Sequence, residues 1–240
     1  MRERSLKSVP VPVLVIMAAG LILQLVWSAL QPRAMATAEQ LPAPMKVEFW
    51  RAVSFGDPIP LAKVLMLWLQ CFDNGSVTIP FRNLDYTRVT RWLDTALILD
   101  SRSQYPLLSA TRLYAEVADP PRQRLMLEFV YQKFLDDPKH RWRWLAQAVV
   151  IAKHRLNDLP LALKFAQALA DNTNNNTAPS WARQMHIFIR EDLGELESAQ
   201  ILLGGLIENG SITDVNELRF LSERLKSLQR QRNDKTSPAK

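Results

Sequence analysis

The residues best suited to chemistry lie in one run, HRWRWLAQAVVIAKHRL, from His140 to Leu156, where two tryptophans alternate with arginines and a Lys-His-Arg triplet closes the segment. Exposed, such a run would be a basic aromatic surface able to stack bases beside a charged groove. Folded inward, it would be one helix in a stack of helices. Other reactive side chains are sparse. His140, His154 and His186 lack the i, i+4 spacing with which a helix offers two imidazoles to a metal, so they read as solvated or hydrogen-bonded histidines. Cys71 is the single cysteine, which leaves no internal disulfide and no cysteine-based zinc site. No GxSxG, HExxH, P-loop or Gly-rich nucleotide turn occurs. Gly204-Gly205 falls inside an apolar helical run, where each glycine costs about 1 kcal/mol against alanine, and close approach of a neighbouring helix is the expected compensation. Asn74, Asn175 and Asn209 begin N-x-S/T triplets that turn chemistry explains. The expectation is a protein that is not an enzyme, with no cofactor, no metal, no small-molecule substrate and no nucleic-acid partner.

The elements that would position these residues are helices. Fifteen prolines against seven glycines suit sharply punctuated helices better than a turn-rich β fold. The chain reads as all-α, with helices near Pro58–Asp73, Asp85–Leu99, Tyr105–Val117, Pro120–Asp136, Pro138–Leu156, Leu159–Ala170, Ser180–Leu193, Glu195–Glu208 and Asp214–Gln229. Asp57-Pro58, Asp119-Pro120 and Asp137-Pro138 each offer a capping aspartate followed by proline in the first turn, where its missing N–H costs nothing. Asp158 and Asp214 are suited to the same role. These aspartates are therefore helix caps rather than catalytic acids.

At the amino terminus, MRERSLK carries three positive charges, and Val9 to Leu30 follows without an ionisable residue. Roughly 20 apolar residues span a bilayer core as a helix, and the excess of positive charge before the segment predicts a cytoplasmic N-terminus. The expected arrangement is a single-pass anchor in the cytoplasmic (inner) membrane, with the remainder in the periplasm or another extracytoplasmic space. The alternative is a signal peptide cleaved near Ala36 or Ala38, although signal-peptide apolar regions usually run about 7–15 residues. The domain reading is residues 1–30 as cytoplasmic N-terminus and anchor, 31–57 as linker, 58–229 as a helical domain and 230–240 as a disordered basic tail.

Within 58–229 a spacing recurs. Trp144 and Trp181 are 37 residues apart, as are Leu125, Ala162 and Ala199, and Tyr105 stands 37 before Trp142. A constant period in this range is the signature of helix pairs stacked into a solenoid. With an aromatic early in the first helix of a unit (Trp144, Trp181), small residues in the second (Ala162, Ala166, Ala199) and a proline near each boundary (Pro138, Pro179), the chain resembles the tetratricopeptide repeat family over roughly Asp85 to Gly210. The period of 37 departs from that family's 34. The resemblance implies an α-solenoid acting as a protein-interaction scaffold.

On a helical wheel Trp142, Leu145, Ala146, Val149, Ala152 and Leu156 form one apolar face of the His140–Leu156 helix, and Trp144, Ala148 and Ile151 another. The tryptophans are thus expected in the core and Arg141 at the periphery. Arg143, Gln147 and His154 form the polar wedge, and a 37-residue shift carries it to Ser180, Gln184 and Glu191. Arg143, Gln147, His154, Gln184 and Glu191 are therefore the candidate partner-binding residues. The functional expectation is a membrane-anchored scaffold or adaptor binding a protein partner in a bacterial envelope assembly or secretion system. The alternative is a non-catalytic subunit of a membrane enzyme complex, such as one processing polysaccharide or protein.

Overall fold

All five aspartates expected to cap helices accept backbone N–H bonds at helix starts in a computed structural model of the chain, which describes residues 10–30, 41–74, 84–208, 210, 212 and 214–236. Asp85 is a sixth, accepting from Thr87 and Arg88. The described residues form eleven α-helices and no strand. They are α1 (Val11–Leu30), α2 (Val47–Val53), α3 (Pro58–Asn74), α4 (Tyr86–Leu99), α5 (Tyr105–Arg112), α6 (Pro120–Asp136), α7 (Pro138–His154), α8 (Leu159–Asn172), α9 (Ser180–Asp192), α10 (Leu196–Glu208) and α11 (Val215–Thr236). The candidate cleavage sites at Ala36 and Ala38, and Asn209, lie outside the described residues.

Two units are separately compact, Met1–Glu39 and Gln40–Lys240. In the first, α1 carries no charged residue, and Val11, Val13, Val15, Ile16, Met17 and residues 21–27 are exposed. Among the described residues no single helix is long and apolar enough to cross a membrane. The second unit begins earlier than the expected boundary at Pro58. Leu41 is buried, its carbonyl accepts from the Arg88 guanidinium at 2.7 Å, and the Pro42 carbonyl accepts from the Trp92 indole at 2.7 Å. The segment read as linker thus contains α2 and is pinned to α4 at its start.

From α4 onward each helix packs on the next in sequence, and specific side chains also join next-but-one helices. Among the even-numbered helices, Lys133 of α6 pairs with Asp94 of α4 at 2.7 Å, and Tyr131 of α6 stacks on Phe165 of α8 at 5.3 Å. Among the odd-numbered ones, Trp142 of α7 meets Trp181 of α9 edge-on at 5.8 Å, and Lys153 pairs with Asp192 at 2.5 Å. Burial opposes the charge on Lys133, but the Asp94 and Asp136 carboxylates outweigh it and hold its pKa above the ordinary lysine value. The expected constant period does not extend to the helix starts. Even-numbered helices begin at Tyr86, Pro120, Leu159 and Leu196, and odd-numbered ones at Tyr105, Pro138, Ser180 and Val215, so successive intervals range from 33 to 42 residues.

The helix expected over Tyr105–Val117 stops at Arg112 and gives way to a 3-10 turn, Tyr114–Glu116. Thr111 Oγ1–H donates back to the Leu107 carbonyl at 2.9 Å, a bond that bends helices. The carbonyls released by the break are taken up by side chains. Tyr86 Oη–H donates to Tyr114 at 3.1 Å and Gln123 Nε2–H to Ala115 at 2.9 Å. At the other end, α11 continues to Thr236, through most of the expected tail, because Arg219 to Thr236 contains neither glycine nor proline and is rich in good helix formers.

The core forms two clusters that meet at α9. The larger runs from Leu41 to Leu169 and includes Ile189; the smaller joins Ile187 to Leu196, Ala199, Leu203, Leu221 and Leu228. Leu125 does not share the burial of Ala162 and Ala199, being at the exposed limit while both alanines are fully buried. Gly204 and Gly205 lie within α10, but a Cβ at either would meet nothing within 4 Å. The expected close approach of a neighbour is therefore absent at these positions. Gly204→Ala and Gly205→Ala should each stabilise the fold by about 0.5–1 kcal/mol, since each removes backbone entropy from the unfolded chain with no steric cost. Chemical denaturation measures this, and a loss of stability would mean that something packs against α10 after all.

Candidate binding surface

The capping of α7 explains how its aromatic run is presented. Asp137 accepts from the His140 N–H, and Pro138 occupies the first turn. The His140 ring Nδ1 also lies 2.9 Å from the Asp137 carboxylate. Arg141, expected at the periphery, is buried. Its guanidinium donates to the Lys133 carbonyl in the last turn of α6 at 2.7 Å and to Ser101 between α4 and α5 at 3.3 Å. A cation at a helix C-terminus bonds carbonyls that the helix leaves unpaired, so this arginine ties three elements together. The sequence signal was available, since Asp137-Pro138 joins α6 to α7 and brings Arg141 close to the end of α6.

With the start of α7 fixed in this way, its tryptophans occupy the borders of the packed face rather than its centre. Leu145, Ala148, Val149, Ile151 and Ala152 are buried, whereas Trp142 and Trp144 are half-buried. The Trp144 indole donates to Gln104 Oε1 at 2.6 Å, at the start of α5. Both α7 tryptophans are expected in the core from the sequence; Trp181, which shares the 37-residue spacing with Trp144, is 55% exposed. The two tryptophans that share the 37-residue spacing therefore do different things. The pair that meets in space, Trp142 and Trp181, is separated by 39 residues, as are Lys153 and Asp192 on the same two helices.

Arg143 is exposed, and its guanidinium carbon lies 5.4 Å from the centre of the Trp142 ring. Arg143, Trp142 and Trp181 thus form a continuous solvent-facing cluster across α7 and α9. A cation over an indole and an edge-to-face tryptophan pair hold these side chains in defined positions before any ligand arrives. Gln147 is half-buried and His154 is exposed on the same helix.

The two candidate residues on α9 are engaged within the chain. Gln184 is buried, and its amide donates to Glu217 Oε1 of α11 at 2.8 Å, while Ser180 donates to the other oxygen of Glu217 at 2.9 Å. Glu191 accepts from Arg224 of α11, the Nε–H bond measuring 3.0 Å. Phe188 and Phe220 lie between these polar links, 6.4 Å apart. The stripe expected to stay open along α9 is thus covered by α11. The 37-residue shift gave no information about which element would pack on this face of α9.

The even-numbered helices present a second type of surface. A cleft of about 470 Å³ between α4 and α6 is lined by Thr90, Arg124, Leu125, Glu128 and Phe129. Another of about 470 Å³ beside α8 is lined by Pro160, Leu163, Lys164, Arg190 and Leu193. Among the described residues no group of three or more His, Cys, Asp or Glu side chains is arranged to hold a metal ion. No family model, curated protein or solved structure matches the chain significantly.

His186 lies on α9, half-buried, with Nδ1 2.8 Å from the Arg183 carbonyl. Burial is the largest influence and lowers its pKa from 6.5; the Arg183 carbonyl opposes this, Arg190 adds to it and Asp171 opposes it. The lowered native pKa means that the unfolded chain takes up the proton first as pH falls. This histidine therefore contributes nothing to pH dependence well above 6.5, and stability declines as pH drops from there towards the lower native value. In His186→Gln this part of the decline should vanish. Thermal melts of both proteins between neutral and mildly acidic pH measure it, and parallel curves would show that His186 is protonated equally in both states.

Proposed function

We propose that this protein is a membrane-anchored, tetratricopeptide-like helical scaffold that holds a protein partner outside the cytoplasmic membrane, in a bacterial envelope assembly or secretion system. The observation that carries the reading is the pre-arranged Trp142–Arg143–Trp181 cluster on adjoining helices. Tryptophan and arginine dominate the energetically decisive positions of protein interfaces, and rigid aromatic anchors lose little entropy on binding. The next-but-one contacts within each column of helices support a solenoid, because stacking helix pairs side by side brings each helix against its counterpart in the next pair. The anchor is supported by the uncharged stretch from Val11 to Leu30 and by the exposure of apolar side chains such as Ile16, Leu23 and Trp27. In this scheme the cytoplasm contains the basic N-terminus, and the helical unit stands in the periplasm.

The partner surface spans α7 and the start of α9, at Arg143, Gln147 and Trp181, with His154 at its edge. Arg143→Glu combined with Trp181→Ala should leave helicity and melting nearly unchanged, since exposed substitutions usually shift stability by no more than about 0.5 kcal/mol. Loss of two anchor side chains should cost the complex about 2 kcal/mol or more. Crosslinking and pull-down from native membranes should therefore recover far less partner with the double variant. Undiminished recovery would remove this surface from the interface. In the same membranes the chain should resist alkaline extraction and begin at Met1 or Arg2. A soluble chain beginning at Thr37 or Glu39 would replace the anchor with a cleaved signal peptide.

A further inference from the structure

The two ends of the Gln40–Lys240 unit differ in character. At one end α11 turns a mixed surface to solvent, with Arg219, Glu223 and Lys226 exposed beside Val215 and Phe220. At the other end α3 packs through Ala62, Leu65, Met66 and Leu69, yet its opposite side is also apolar, with Val64 57% and Leu67 59% exposed, and Ile59 in its first turn is exposed as well. Ahead of it, Phe49 and Val53 of α2 are exposed as well, and Phe55 in the intervening turn is 98% exposed. The two helices meet at 113°, so Phe55 stands at the apex of a bent apolar pair. Phe55 also has φ of 51°, a conformation that a bulky L-residue adopts at a cost, and in return it buries almost nothing within the chain. A strained and fully exposed phenylalanine implies a contact outside the fold.

We infer that the α2–α3 turn and the outer side of α3 insert into the headgroup and upper acyl region of a lipid bilayer. Three features select lipid as the occupant. Lys46, Arg51 and Lys63 are exposed among the apolar side chains, which suits long cationic side chains reaching from buried stems to lipid phosphates. The joined pair has the length and apolar composition of a broken membrane segment, but half of α3 is committed to the protein core, so it can lie in an interface and cannot cross one. Finally, only residues 31–46 separate α1 from α2, a span of at most about 55 Å. A bilayer holding α1 is therefore always within reach of the turn. The inference uses the anchor reading only for that last point.

The test uses the full chain in phosphatidylethanolamine–phosphatidylglycerol vesicles, with Cys71 replaced by serine and a single polarity-sensitive fluorophore at Phe55→Cys. An identical label at Arg143→Cys serves as the water-exposed reference. The Phe55 label should be blue-shifted, several-fold less accessible to iodide than the reference, and quenched by lipids carrying a spin label near the headgroup. Iodide access equal to that of the reference overturns the inference. So does shielding that persists without lipid together with crosslinking between two Phe55→Cys chains, which would make a second copy the occupant. Alkaline extraction of the same vesicles reads the anchor separately. A chain that stays in the membrane with a wet Phe55 label loses this inference and keeps the anchor. A chain released by alkali whose label is shielded by lipid at neutral pH loses the anchor and keeps this inference. A labelled chain made with Phe55→Cys should melt no lower than the parent, so a wet label in a well-folded chain counts against lipid contact and cannot be ascribed to misfolding.

Discussion

A helix with apolar residues on two sides has to be covered on two sides, and α7 shows what this demands of its neighbours. Leu145, Ala148, Val149, Ile151 and Ala152 are all buried, and they do not lie along one narrow stripe. Covering such a helix requires α6 and α8 against it in sequence and α5 and α9 beside it. The next-but-one contacts follow from this. Once α7 is enclosed, Trp144 reaches Gln104 at the start of α5 and Trp142 reaches Trp181 on α9. Buried Arg141 then sets where α7 begins, because its guanidinium is bonded to the end of α6 and to Ser101. A buried guanidinium left without these carbonyls would be strongly destabilising, so the register of α7 along its axis follows from them.

Helix positions were legible from local chemistry because their causes are local. An aspartate accepting from the backbone two or three residues on, followed by proline, needs no distant partner. For that reason α6, α7 and α8 begin at the residues the sequence indicates. Burial was less legible. Trp181 and Trp144 share a residue type and a spacing, but exposure depends on what packs opposite, and only Trp144 has a helix terminus beside it. Gln184 and Arg143 illustrate the same point in reverse. Both read as polar surface, yet Glu217 from a distant helix covers one and leaves the other open. The break in α5 escaped a reading based on periodicity because it depends on Tyr86 and Gln123, outside the helix, receiving the carbonyls it releases.

The division of the core at α9 has a consequence for how the C-terminal hairpin is held. Ile189 belongs to the main cluster, whereas Ile187 belongs to a smaller one shared with α10 and α11. A small core secures α10 and α11 less firmly than the large one secures α7 and α8, and polar links along α9 supplement it. Glu217 satisfies Ser180 and Gln184 together, and Arg224 engages Glu191 through two nitrogens. At the 37-residue spacing these positions correspond on α7 to Arg143 and His154, which are exposed, and Gln147, which is half-buried. The same helical face is therefore used twice, once to attach a terminal helix and once, on α7, left free.

That reuse explains why the exposed aromatic cluster sits where it does. When helices pack one on the next, the face left open by the last packed helices is shielded by a terminal helix. α11 does this at the C-terminal end, and in doing so it removes the α9 stripe from solvent as far as Glu191. Trp181, at the start of α9, lies one turn ahead of Gln184 and stays uncovered beside Trp142 and Arg143. The open surface is thus confined to α7 and the first turn of α9, bounded on one side by α5 through Trp144 and Gln104 and on the other by α11. Among the described residues of the Gln40–Lys240 unit no polar helix covers α3, whose outer side remains apolar. The exposed apolar side chains of α2, α3 and the turn between them belong to the elements that follow the uncharged helix α1 in sequence.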